Sequence, residues 1–209
     1  MPFDLAVIDL DNTLYAADNG VFQRMDQKMT AYIMRELNVN EAEANRLRVR
    51  YWRAYGTTLK GLMLHHGVEP EGFLAEVHDI QAEELLQADA SLDAALGRLK
   101  ARKVIHTNGI CEHAERILAA LGILHHFSAI YDIRFNDYTP KPCRRTLAQL
   151  IQREGATPHR TLVVDDIPEN LDAARALGCK TVLISRESDG RWDFHLPSCH
   201  GLPDLFAQP

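Results

Sequence analysis

Short apolar runs alternate with amphipathic stretches along most of this chain. Leu5-Ala6-Val7-Ile8 is unbroken and apolar just before a polar cluster, the pattern of a strand buried on both faces. Similar runs recur at Lys103–His106, Ala129–Ile133, Thr161–Val164 and Lys180–Ile184. Between them, Leu92–Arg102, Glu112–Leu121, Arg144–Arg153 and Pro168–Leu177 carry helical periodicity. Two of these helices run into Leu-Gly, at Gly122 and Gly178, where a glycine stop is expected. Strand alternating with helix predicts an α/β fold built on a Rossmann-like, doubly wound parallel sheet.

The segment from Ala16 to Asp89 breaks that rhythm. It shows no strand pattern and reads as helices at Gln23–Leu37, Glu41–Tyr55, Thr57–His66 and Pro70–Leu86, punctuated by turns at Asn38–Asn40 and Gly67–Pro70. An all-helical cap is therefore inserted after the first strand. The chain divides into an α/β core of residues 1–15 and 90–209 and a helical cap of residues 16–89. The tail from Ser188 reads as a loop, a short edge strand near Phe194–Leu196 and a terminal turn.

The chain has 209 residues, 46% of them hydrophobic, which suffices for a packed core. A net charge of -6 argues against a nucleic-acid polymer as partner, because phosphate backbones demand dense Lys and Arg. Arg46, Arg48, Arg50 and Arg53 cluster, but among acids, as on a solvated helix face. Cys111, Cys143, Cys179 and Cys199 form no CxxC pair or zinc-ligand spacing and read as thiols of a reducing compartment. No secretory leader is visible, and no stretch reaches the ~18 apolar residues of a membrane helix. A soluble, cytoplasmic monomer or homodimer with no membrane partner is expected.

In an open parallel sheet, ligands bind beyond the carboxyl ends of the strands. The first predicted strand is followed by Asp9-Leu10-Asp11-Asn12-Thr13, and the second by Thr107-Asn108-Gly109. Lys141-Pro142 follows the third past a loop, and Asp165-Asp166 follows the fourth. Polar groups from distant sequence thus converge on one edge, which packing does not require. Asp9 and Asp11, two apart on an extended strand end, point to one side. Crowded carboxylates repel unless a cation intervenes, and an oxygen-rich cradle of Asp9, Asp11, Asp165 and Asp166 suits Mg2+. Thr107 and the turn after it offer donors to phosphate oxygens, and Lys141 supplies positive charge.

Asp9-Leu10-Asp11-Asn12-Thr13 resembles the DxDxT signature of haloacid-dehalogenase-like phosphatases. Thr107-Asn108, Lys141-Pro142, and Val163-Val164-Asp165-Asp166 with Asn170 resemble that superfamily's second, third and fourth motifs, in order. Asp9 through Tyr15 with Gly20, then Tyr51 through Leu62 and Val77-His78, resembles the pyrimidine 5'-nucleotidase branch. The resemblance implies phosphomonoester hydrolysis of a small molecule such as UMP or CMP. It makes Asp9 the nucleophile that becomes an aspartyl-phosphate and Asp11 the acid and then the base. It places Mg2+ on the Asp9 side chain, the Asp11 backbone carbonyl and the Asp166 side chain. Thr107, Asn108 and Lys141 would grip the phosphate, beside Asn12, Thr13 and Gly109.

The sequence departs from the branch at Ala16, where Pro is common, and at His106, where an aromatic or aliphatic residue is usual. Asp165-Asp166 stands where Gly-Asp is frequent, which leaves Asp165 either a further ligand or an acceptor behind the ligands. Asn170 supports Asp166 or caps a helix. Tyr51, Trp52 and Tyr55 read as core or as a base-stacking platform. Arg48 and Lys60 read as a solvated face or as substrate contacts. His65-His66 and His125-His126 read as structural pairs without further metal ligands, and His106 as a packed strand end. A broad-specificity or sugar-phosphate phosphatase, a phosphoglucomutase-like phosphotransferase and a non-enzymatic nucleotide-binding module share these motifs. A dehalogenase needs neither Asp11 nor Asp166.

Overall fold

The computed structural model describes residues 3–187 and 190–206, so the expected loop's first residues, Ser188 and Asp189, lie outside the described residues. Six parallel strands form one sheet in the order β3-β2-β1-β4-β5-β6. They are β1 (Leu5–Ile8), β2 (Arg102–His106), β3 (Phe127–Tyr131), β4 (Thr161–Asp165), β5 (Lys180–Ile184) and β6 (Phe194–Leu196). β1 lies between β2 and β4, with Leu5 opposite both Arg102 and Thr161. The chain winds outward from β1 in one direction and from β4 in the other. The reversal between them is the switch point where such sheets bind ligands.

Alternation along β1 splits the core. Leu5 and Val7 pack with Leu147, Leu150 and Leu171, against α7 (Arg144–Arg153) and α8 (Pro168–Leu177). Ala6 and Ile8 face the opposite layer, which holds α5 (Ala90–Arg98) and α6 (Cys111–Ala120). Residues between β1 and β2 contribute no strand and form α1 (Val21–Leu37), α2 (Glu41–Tyr55), α3 (Thr58–His66) and α4 (Pro70–Val77). Their apolar faces share a cluster that includes Ile33, Leu62 and Val77 with Ile8 and Leu10. Among the described residues no helix is long and apolar enough to cross a membrane.

Three elements differ most from expectation. The helix expected over Pro70–Leu86 ends at Val77, and only a 3-10 turn at Ala82–Glu84 follows. Ile80 and Ala82 are both buried, two apart, which one helix face cannot accommodate, and Gln81 turns the chain at φ +46°. The helix expected over Leu92–Arg102 runs from Ala90 to Arg98, capped by Asp89 accepting from the Ser91 and Leu92 amides. Arg102 already belongs to β2. The third strand is Phe127–Tyr131 rather than Ala129–Ile133, and Ile133 instead donates its amide to the Gly109 carbonyl at 3.1 Å.

α2 and α3 meet closely. A Cβ on Gly61 would lie 2.2 Å from the Tyr51 ring, so glycine is what lets the two helices touch there. At Gly56, φ is +84° and a Cβ would come 3.0 Å from the Lys141 carbonyl, so glycine lets the end of α2 lie against the loop carrying Lys141.

Candidate active site

β1 and β4 end side by side, and the Asp9 amide continues their pairing onto the Val164 carbonyl at 2.9 Å. Asp9 is 8% exposed and both of its oxygens are engaged. Oδ1 accepts from the Lys141 ammonium at 2.6 Å and Oδ2 from the Thr13 hydroxyl at 2.9 Å. Lys141 also donates to Asp165 at 2.9 Å. Its own amide donates to Asn108 Oδ1 at 2.8 Å, which ties the lysine loop to the turn after β2.

Burial works against the Lys141 charge, but Asp165 and Asp9 outweigh it and raise the ammonium's pKa above its usual value. Burial raises the Asp9 carboxyl against the pull of Lys141, and the Asp165 and Asp166 charges add to the rise. Asp166 is pushed up to about 6 by burial and by Asp165. Three carboxylates, Asp9, Asp165 and Asp166, bring oxygens within 4.8 Å of one another around a single lysine. That excess of buried negative charge and the all-oxygen donor set fit a hard divalent cation.

Asp165 is less available than its neighbours. Its Oδ1 accepts from the Ile167 amide and the Asn170 side chain, each at 2.9 Å, and its Oδ2 from Lys141. That is the arrangement of a residue that aims the lysine. Asn170 therefore supports Asp165 rather than Asp166, and it does not cap α8, whose N-cap is Ile167. Asn12 sits at φ +63°, with its side-chain oxygen buried and unpartnered. Thr107 is 1% exposed, and its hydroxyl accepts from the Gly109 amide at 2.9 Å, which leaves its proton free to donate.

Two contacts on Asp11 were not read from the sequence. The Tyr15 hydroxyl donates to Asp11 Oδ1, and His113 Nε2 lies 3.3 Å from the same oxygen. Burial alone would raise the Asp11 carboxyl, yet the His113 and Tyr15 hydrogen bonds bring it below its ordinary value. His113 stands in the first turn of the helix leaving β2, a place that faces the site in any such sheet and was the available signal. His78 packs on it at 4.9 Å between ring centroids, and burial pushes His78 down to about 4, so it is neutral at neutral pH. His106 is packed as expected, 4% exposed and beside Asn136.

A cavity of about 580 Å3 opens over these groups, walled on the far side by the helices between β1 and β2. Trp52, Arg48 and Arg53 of α2 line it, together with Phe22 and Met25 of α1. Arg48 is thus no member of a solvated face: it pairs with Asp26, and its Nε is buried. Tyr51 is core at 4% exposure, whereas Trp52 is 54% exposed and lines this space. His65 and His66 meet the Tyr55 and Tyr51 hydroxyls. His125 and His126 do have a further partner: both approach Asp93 Oδ1, at 3.1 and 2.7 Å, away from the site.

Residues 3–178 match the model of the family described as haloacid dehalogenase-like hydrolase. The chain belongs to that family. Phosphate metabolism protein 8 of Saccharomyces cerevisiae is 25% identical over 192 residues, 84% of this chain. This haloacid dehalogenase-like chain spans only 59% of that relative's length. A HAD phosphatase from Thermococcus onnurineus superposes with a TM-score of 0.70 at 17% identity, covering 98% of each chain. The L-2-haloacid dehalogenase of Xanthobacter autotrophicus with chloropropionic acid covalently bound gives 0.62 at 19% identity, covering 97% of this chain and 98% of that one. YfnB of Bacillus subtilis, bound to magnesium, gives 0.65 at 16% identity, covering 99% of both. These likenesses show a shared fold.

Proposed function

We propose that this hydrolase is a Mg2+-dependent phosphomonoesterase that works through an aspartyl-phosphate on Asp9, with pyrimidine nucleoside 5'-monophosphates such as UMP and CMP as substrates. The observation that carries the reading is the pinning of Asp9 by Lys141 and Thr13 beside Asp11. It gives an aimed nucleophile next to an acid that still has an oxygen to spare. Asp9, Asp166 and the Asp11 carbonyl would hold Mg2+, which supplies charge neutralisation for the phosphate oxygens when bound. Asp165 serves as the residue behind them that steadies Lys141.

Asp9 attacks phosphorus while Lys141, Thr107 and the amides of the Asn108 turn take up the charge on the phosphoryl oxygens. Asp11 gives its proton to the leaving oxygen, and later accepts one from the water that cleaves the aspartyl-phosphate. Asp11 is ionised in the free protein, and an incoming phosphate dianion raises its proton affinity. The capping helices exclude bulk water and present Trp52, Arg48 and Arg53 to the leaving group. A planar base with polar edges suits that set, and the yeast relative's name places it in phosphate metabolism. The apolar lining by Phe22, Met25 and Met29 favours a second reading, a phosphatase with a broad range of leaving groups.

The test is phosphate release with Mg2+ from UMP, CMP, dTMP, AMP, GMP, sugar phosphates and p-nitrophenyl phosphate, with Asp9→Asn alongside. Preference for UMP and CMP, lost in the variant, is the expected result. Broad release supports the second reading, and release by the variant at the wild-type rate sinks the covalent mechanism.

A further inference from the structure

We propose that His113, together with Tyr15, is a positioning residue that fixes which oxygen of Asp11 carries the proton. The inference rests on the phosphomonoesterase reading above. Both donors converge on Oδ1: the Tyr15 hydroxyl from the loop after β1, and His113 Nε2 at 3.3 Å from α6. Among the described residues none donates to Oδ2. A carboxyl group rotates freely about its Cβ–Cγ bond unless something holds it, and two donors from separate elements hold this one. Oδ1 is turned toward His113, which has no exposed surface, so Oδ2 is the oxygen left for the cavity that Asp11 lines.

Packing alone does not account for the histidine. His113 is wholly buried, and its Nδ1 has no hydrogen-bond partner. An apolar side chain of that size would fill the space without stranding a polar nitrogen. The contact that a hydrocarbon could not reproduce is the one to Asp11. The surroundings are built to seat the ring. His78 at the end of α4 packs against it, its own Nδ1 tied to the Leu74 carbonyl at 2.8 Å.

An Asp9 oxygen forms its bond to phosphorus as the bond from phosphorus to the ester oxygen breaks, and that oxygen takes the proton from Asp11 Oδ2. In the second half, water bonds to phosphorus and passes its proton to Oδ2, as the bond from phosphorus to Asp9 breaks and restores the carboxylate. A mispositioned Oδ2 therefore harms the first half only when the leaving oxygen needs a proton.

The experiment compares kcat/KM, which reports the steps through cleavage of the ester bond, for an alkyl phosphate and for p-nitrophenyl phosphate, whose leaving group departs unprotonated. In His113→Ala the ratio of alkyl to aryl kcat/KM is expected to fall by roughly tenfold to a hundredfold, with kcat rather than KM carrying the alkyl loss. Tyr15→Phe, which keeps the ring and loses only the donor, should move the ratio the same way. His113→Gln, whose amide can still donate, should recover part of it. A fall of both substrates by the same factor, in His113→Ala and in Tyr15→Phe, would overturn the proposal and leave His113 a structural residue. Hydrolysis of neither ester by the wild-type protein would overturn the phosphomonoesterase reading and this inference with it.

Discussion

Asp165 holds the Lys141 ammonium at 2.9 Å, and the lysine so held stands 2.6 Å from Asp9. One cation thereby serves two buried carboxylates. Lys141→Ala should lower phosphate release by about a hundredfold to a thousandfold, the usual result of removing a donor to a transition-state oxygen. It should also cost stability, on the order of 3–5 kcal/mol, because both carboxylates lose their shared partner while buried. Urea unfolding beside the activity assay separates the two effects.

Removing the metal should abolish activity reversibly. A chelator is expected to bring phosphate release to background, and excess Mg2+ to restore it. Asp166→Asn, which keeps the shape and removes the charge, should raise the Mg2+ concentration for half-activity by roughly tenfold or more. Full activity in the chelated protein refutes the cation site.

Trp52 makes a prediction about selectivity. Its indole is largely exposed within the cavity wall, free to lie against a flat leaving group. Trp52→Ala should raise KM for a pyrimidine nucleotide about tenfold, the scale of one lost base–aromatic contact, with little change for a small sugar phosphate. Equal changes for both substrates would assign Trp52 to structure instead.

Gly61→Ala tests the contact between α2 and α3. A Cβ placed 2.2 Å from Tyr51 Cγ and 2.4 Å from Tyr51 Cβ forces the helices apart, because no ring rotamer moves the tyrosine Cβ. A loss of about 1–3 kcal/mol is expected, measured as a shift of the urea midpoint. An unchanged midpoint means that α2 and α3 separate there at no cost.

Asp89 gives a pH dependence away from the chemistry. Burial would raise its carboxyl, but the Ser91 side chain, the Leu92 amide and His200 hold it down at about 2. A depressed folded-state pKa stabilises the protein above the unfolded value near 4, and that stability is lost as pH falls from there through about 2. Asp89→Ala should therefore cost about 1 kcal/mol at pH 7, as a lost N-cap does, and less at pH 3. A difference that stays constant between those two pH values refutes the cap's charge as the cause.

Much of this architecture could be read from side-chain pattern. β5, α2, α7 and α8 have the residues expected of them, because β5 is an unbroken run buried on both faces and each helix has one apolar face and a local stop such as Gly56 or Gly178. Asp9, Thr107, Lys141 and Asp166 converge because the carboxyl ends of parallel strands must lie together. The roles of His113 and Trp52 were harder to see. An amphipathic helix shows that it has a buried face, but not whether that face meets the core or a cavity. Trp52 and Tyr51 are adjacent in sequence yet point to opposite fates, set by where α3 packs. The end of α4 was missed because Val77, Ile80 and Ala82 are all apolar, and only the turn at Gln81 shows that they do not share a helix.

The position of β1 at the switch point has a consequence for biosynthesis. Its neighbours in the sheet are Arg102–Ile105 on one side and Thr161–Val164 on the other. Lys141, which gives the Asp9 carboxylate its setting, is synthesised 132 residues after it, and Asp165 later still. Contacts this distant close slowly and late. On the proposed mechanism, a nascent chain that stops short of β4 carries Asp9 without Asp165 and Asp166, so the chemistry would wait for completion of the sheet.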